Sequence, residues 1–146
     1  MGKSICLVLL MMGVLFTGFA EEVKARKRYA IVLQAGNETN EGMARAVHAL
    51  LYTKELAEGG HQVVLIFDGA GTGWAKELRN PENPFHKHYL KVQQLGMVVE
   101  ICDYCADAFN VKDDLHEQQK KQLVGDYDGH VSISKWADSG YEIIVL

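Results

Sequence analysis

Four short, largely apolar runs recur along the chain: Tyr29–Leu33, His61–Phe67, Met97–Ile101 and Tyr141–Val145. The first, Tyr-Ala-Ile-Val-Leu, does not alternate apolar with polar residues, and a strand of that kind is covered on both faces. Helical signals fill the gaps. Thr39 or Asn40 can cap a helix, after which Met43, Val47, Leu50, Leu51 and Leu56 recur at helical spacing until Gly59-Gly60 ends it. A short segment around Trp74–Leu78 follows the second run; Arg79–Pro84 reads as a loop, and Phe85–Leu95 as a helix closed by Gly96. Cys102–Phe109 turns straight from the third run into a helix, Asp113–Leu123 reads as a polar surface helix or loop, and Ser132–Ser139 as a last short helix. Strands alternating with helices predict an α/β fold of three layers, α/β/α, with a mostly parallel, doubly wound sheet. In such sheets ligands gather beyond the carboxyl ends of the strands. Gly36-Asn37, Asp68-Gly69 and Cys102 follow three different strands there. Gly36, Asn37, Asp68 and Gly69 are therefore candidate pocket residues beside Cys102.

A chain of 146 residues holds one domain. Its first segment reads as something else. Lys3 precedes an apolar run, Ile5–Phe19, which ends in the small-x-small pattern Gly18-Phe19-Ala20 before Glu21-Glu22. The run is short for a membrane-spanning helix. Residues 1–20 are expected to be a cleaved signal peptide that leaves no stable membrane span and delivers the mature protein to the periplasm or the exterior. Residues 21–28, with Lys24, Arg26, Lys27 and Arg28, read as a basic arm, and 29–146 as the domain. The formal charge is −4, or −5 once Lys3 has left, and no basic face argues for nucleic acid.

Cys6 would leave with the signal segment, so the mature chain keeps Cys102 and Cys105. A pair that close cannot staple distant parts of a fold. Redox chemistry, sulfur chemistry or half of a metal site is left. Cys102 stands where strand meets helix, and the free amides of a helix's first turn favour a thiolate there. It is the expected nucleophile. Cys105, one turn on, can resolve a mixed disulfide or accept a sulfur. Inert buried thiols and a plain local disulfide remain as alternatives. A zinc site would need two more ligands. His86 and His88 are two apart and point to different sides of a helix, reading as solvated, and His48, His116 and His130 stand singly. No metal and no organic cofactor is expected. Asp68-Gly-Ala-Gly-Thr-Gly lacks the lysine of a phosphate-binding loop, so its glycines read as a tight turn, and Trp74 as packing. Asp103, Tyr104 and Asp107 flank the cysteines, and carboxylates there would oppose the helix terminus by raising a thiol pKa.

Several segments taken together resemble a known family. They are Tyr-Ala-Ile-Val-Leu, the stretch from Glu58 through Gly-Gly-His-Gln-Val-Val-Leu-Ile-Phe-Asp-Gly-Ala-Gly, Val99-Glu-Ile-Cys-Asp-Tyr-Cys-Ala, and the closing Ser-x-x-x-Trp-Ala-Asp-Ser-Gly-Tyr-Glu-Ile-Ile-Val-Leu. In order and spacing, Tyr29 to Leu146 is similar to the DsrE/DsrF-like (sulfur-relay) proteins. The resemblance implies a small parallel-sheet α/β fold assembled as a homotrimer or homohexamer. It also implies that Cys102 carries sulfur as a persulfide and passes it to a partner protein, with Cys105 matching a second cysteine seen in many relatives. Phe109-Asn110 stands where family members often have Arg-Gly. Asn tolerates the left-handed conformation, so the turn survives, but the arginine's anion contact does not. Known relays of the family are cytoplasmic, whereas the signal pattern predicts an exported protein. The expectation is a sulfur-handling protein whose partner is a sulfur donor or acceptor protein or a small sulfane-sulfur compound. Its rivals are a non-catalytic binding or assembly module with a Cys102–Cys105 disulfide, and a thiol–disulfide oxidoreductase.

Overall fold

The apolar runs become the strands of one parallel sheet. A computed structural model describes residues 25–146; the expected signal peptide lies outside the described residues, as does the first half of the basic arm. The strands are β1 (Arg28–Leu33), β2 (Gln62–Phe67), β3 (Val98–Cys102), β4 (Leu123–Val124) and β5 (Glu142–Val145). Their order across the sheet is β4-β3-β2-β1-β5, and every neighbouring pair is parallel. The helices are α1 (Asn40–Glu58), α2 (Thr72–Glu77), α3 (His86–Gln94), α4 (Asp103–Ala108), α5 (Glu117–Lys120) and α6 (Ile133–Asp138). Thr39 caps α1, its side chain accepting from the Gly42 amide. Among the described residues no helix is long and apolar enough to cross a membrane.

Why β1 shows no alternation is visible in its packing. Ile31 and Leu33 join one core with Ala46, Ala49, Leu50, Leu65, Phe67, Trp74 and Tyr89. Ala30 and Val32 point the opposite way, into a second core with Val64, Ile66, Cys102 and Val131. Successive side chains on a strand face opposite sides, so a strand buried on both sides is apolar throughout. Each large side chain so buried contributes roughly 1.5–3 kcal/mol. Steps from β1 through β4 run in one direction across the sheet, and right-handed crossovers keep their helices on one face. The return to β5, beyond β1, carries the chain over the other face. Trp136 of α6, Tyr141 and Ile143 pack there, completing the three layers.

The sequence reading of Asp113–Leu123 as a helix or loop needs one correction. α5 is a single turn, and Leu123 and Val124 then form an edge strand in register with Ile101 and Cys102. A strand of two residues carries no periodicity of its own; its partner specifies it.

Candidate functional site

Cys102 is the last residue of β3 and the N-cap of α4. Its backbone is still extended, and its sulfur accepts the Cys105 amide at 3.3 Å, the role a serine or aspartate usually fills. One helical turn brings the Cys105 sulfur to 2.7 Å from that of Cys102. Both thiols are free. Cys102 is 0% exposed and Cys105 6%, so reagents meet Cys105 first.

The neighbouring strands supply the rest. Asp68 follows β2, and its Oδ1 accepts from the Cys105 thiol at 3.3 Å. Its Oδ2 accepts from Gln34 Nε2 at 2.7 Å, and Gln34 follows β1. The turn that presents Asp68 depends on Gly71, whose amide donates to Gln34 O. A Cβ on Gly71 would lie 1.9 Å from the Leu33 carbonyl oxygen, so only glycine lets the turn close on β1.

His130 arrives from the connection between β4 and β5. Its Nδ1 stands 3.5 Å from each sulfur. The imidazole is held by a two-residue turn in which Tyr127 and His130 exchange backbone hydrogen bonds of 2.9 and 2.7 Å. Asp128 (φ 48°) and Gly129 (φ 84°) both take the left-handed conformation that such a hairpin requires. The turn is fastened to α4: the Tyr104 amide donates to the Gly129 carbonyl at 2.9 Å, and the Tyr104 ring packs 4.6 Å from the imidazole.

Charge divides unequally over the cluster. Burial pushes the Cys105 thiol up to about 12, helped by Cys102 and by the Asp68 carboxylate and opposed by the Gly69 amide. Burial also acts to raise Asp68. Hydrogen bonds from Gln34, Cys105, Cys102 and the Gly69 amide outweigh it and hold the carboxyl below its usual range. The proton therefore stays on Cys105 while Asp68 remains a carboxylate. The sequence neighbours Asp103 and Asp107 do not fill this role; Asp103 pairs instead with Lys112 at 2.7 Å.

Of the residues singled out in the sequence, Cys102, Cys105, Asp68 and Gly69 meet. Gly36 and Asn37 sit elsewhere. β1 ends at Leu33, so the chain has already turned toward α1 by Gly36, which lies against Glu38 and Ala70. Asn37 lines a neighbouring groove with Ala70, Gly73, Lys76 and Phe109. His86, read as a solvated helix residue, is half-buried with its Nδ1 2.8 Å from the Leu78 carbonyl oxygen. Trp74 is core, donating to Ala35 O at 3.0 Å. The cysteine spacing offered no second ligand pair; the fold supplies one in Asp68 and His130. His130 was missed. Its one local signal is the Asp128-Gly129 dipeptide of a hairpin turn, which says nothing of a fold back over Cys102.

Residues 27–146, which include every side chain of this cluster, match the sequence pattern that defines the DsrE/DsrF-like family. The chain belongs to the DsrE/DsrF-like family. It is also 37% identical, over 110 residues, to an uncharacterized protein of Methanocaldococcus jannaschii, a match covering 75% of this chain and 87% of that one. The five-stranded parallel sheet is the fold expected of a DsrE/DsrF-like protein. Asn110, standing where many DsrE/DsrF-like proteins have glycine, holds φ 55° and keeps the turn after α4. Family membership suggests a sulfur-relay function and a partner protein.

Proposed function

We propose that this DsrE/DsrF-like protein carries sulfane sulfur as a persulfide on Cys102 and delivers it to a partner protein. The observation that carries this reading is the Cys102 sulfur in the N-cap position of α4, accepting the Cys105 amide at 3.3 Å. The thiolate is the nucleophilic form of a cysteine. The Cys102 thiolate attacks the outer sulfur of a donor persulfide, R–S–SH. The donor's S–S bond breaks, R–S⁻ leaves, and Cys102–S–SH forms. In discharge an acceptor thiolate takes the outer sulfur and Cys102 leaves as thiolate, so no net oxidation occurs. Cys105 offers a second exit. Its sulfur attacks that of Cys102, its proton leaves with the departing sulfur as hydrogen sulfide, and a Cys102–Cys105 disulfide remains for an external thiol to reduce.

Both thiols lie under the His130 turn, so loading requires the turn to lift from α4. Tyr104 (57% exposed) and Tyr127 (67%) flank it and are the side chains a partner meets first. Assembly as a homotrimer or homohexamer and work outside the cytoplasm complete the proposal, the latter on the signal pattern of residues 1–20; gel filtration and cell fractionation test them. For the chemistry, the reduced protein is exposed to a sulfane-sulfur donor and weighed intact. A gain of one sulfur atom that Cys102→Ser abolishes is expected. If the variant still gains it, Cys102 is not the carrier.

Sulfurs 2.7 Å apart favour one second reading, thiol–disulfide exchange, because little motion separates them from a disulfide. Turnover in an insulin-reduction assay, without any sulfur gain, would decide for it.

A further inference from the structure

Asp68, Cys102, Cys105 and His130 each offer one ligand atom, and these atoms all lie within 4.8 Å of one another. They come from the end of β2, the β3–α4 junction and the turn after β4, so no sequence spacing announces them. Two thiols, an imidazole and a carboxylate suit a borderline-soft divalent cation. In a tetrahedral zinc site with Zn–S of about 2.3 Å and Zn–N or Zn–O of about 2.0 Å, sulfur lies about 3.5 Å from nitrogen or oxygen. Here Nδ1 is 3.5 Å from each sulfur and Asp68 Oδ1 is 3.3 Å from Cys105. The sulfur–sulfur edge must widen, from 2.7 Å to the tetrahedral edge of about 3.8 Å, and the edges from Asp68 to Cys102 and to His130 lie within 4.8 Å. Support around the ligands is also present. Gln34 holds the far oxygen of Asp68, an outer contact of the kind that orients metal ligands, and the Tyr104 ring packs against the imidazole.

We infer that Asp68, Cys102, Cys105 and His130 form a tetrahedral site for a zinc-class divalent cation. The inference stands apart from sulfur carriage, since it needs only the ligands and their geometry. On binding, each thiol gives up its proton to solvent and each sulfur donates a pair to the metal, with no change in oxidation state. The same two sulfurs then serve the metal and are closed to sulfur donors and to disulfide formation.

The reduced, metal-free chain is titrated with zinc against a chromophoric chelator, and with cobalt(II) as the spectroscopic substitute. One metal ion per chain is expected, with the intense ligand-field bands of tetrahedral cobalt and a thiolate-to-cobalt charge-transfer band. His130→Gln and Asp68→Asn, checked for folding by circular dichroism, should each weaken zinc binding by more than about 10-fold and shift the cobalt bands. The cobalt spectrum of the unaltered chain tests the site without any variant. Absence of the charge-transfer band, or bands of octahedral form, overturns the inference. So does unchanged zinc affinity in both folded variants, which would mean an adventitious thiol contact only.

Discussion

The Nδ1 atom of His130 stands 3.5 Å from the sulfur of Cys102, which lies 28 residues earlier in the chain. This contact gives the cysteine pair a roof as well as a floor. Below, Cys102 is packed among Val32, Val64 and Ile66; above, the imidazole shields both sulfurs.

Removing the roof should expose the thiols. His130→Ala is expected to raise the rate at which iodoacetamide labels Cys105 and then Cys102 in the native protein, read by mass. The loss of stability should be about 1 kcal/mol or less, because the residue is only half-buried. Equal labelling rates in the two proteins would show that His130 does not guard the site.

Gly129 should tolerate nothing larger. Its φ is 84°, and an added Cβ would come 3.3 Å from that of Tyr104. Gly129→Ala is expected to cost about 1–2 kcal/mol from the left-handed backbone alone, measured by urea unfolding. It should also quicken thiol labelling by loosening the turn.

Alkaline pH should weaken the reduced, metal-free protein through Cys105. Its thiol would ordinarily ionise at 9.0, and in the fold it does so only at about 12. A pKa raised by folding means the folded state holds its proton longer. The contribution is thus complete below pH 9 and lost as pH rises toward 12. Against Cys105→Ala, the unaltered protein should lose stability more steeply over this window in denaturant titrations. Parallel curves would refute it.

Glu100, two residues before Cys102 on β3, gives a test that leaves the thiols themselves unchanged. Its side chain is 7% exposed and is held by Lys135 Nζ at 2.9 Å and Trp136 Nε1 at 2.9 Å. Lys135→Met leaves the carboxylate without its cation. Because Lys135 is 44% exposed, solvent moderates the loss, and roughly 1–3 kcal/mol is expected. Pairing the change with Glu100→Gln should recover part of it.

How much of this was legible in the sequence follows from which forces act locally. β1 and β2 were readable because both their faces are buried, which leaves an uninterrupted apolar run. The Cys102 junction was readable too, since a strand ending directly in a helix puts a definite residue at the cap. β4 was not, because two residues paired with Ile101 and Cys102 carry no pattern without their partner. Nor was the charge beside the thiols. Asp103 and Asp107 are close in sequence, yet Asp68 is the carboxylate in contact, placed by the parallel register of β2 and β3. Gly36 and Asn37 follow a strand end as Asp68 does, but they belong to the entrance of α1. His130 was hidden for the same reason as β4: its position is set by the chain's return across the sheet.

The hydrogen bond from the Tyr104 amide to the Gly129 carbonyl has a further consequence. Tyr104 lies between the two cysteines on α4, so the cover is moored to the element that does the chemistry. An extra sulfur atom on Cys102 adds volume at the base of that helix, where the core leaves no exposed surface. Under the proposed sulfur carriage, strain there would pass directly to the mooring and alter the outer contour around Tyr104 and Tyr127. A receiving protein could therefore read occupancy from the surface before any sulfur changes hands.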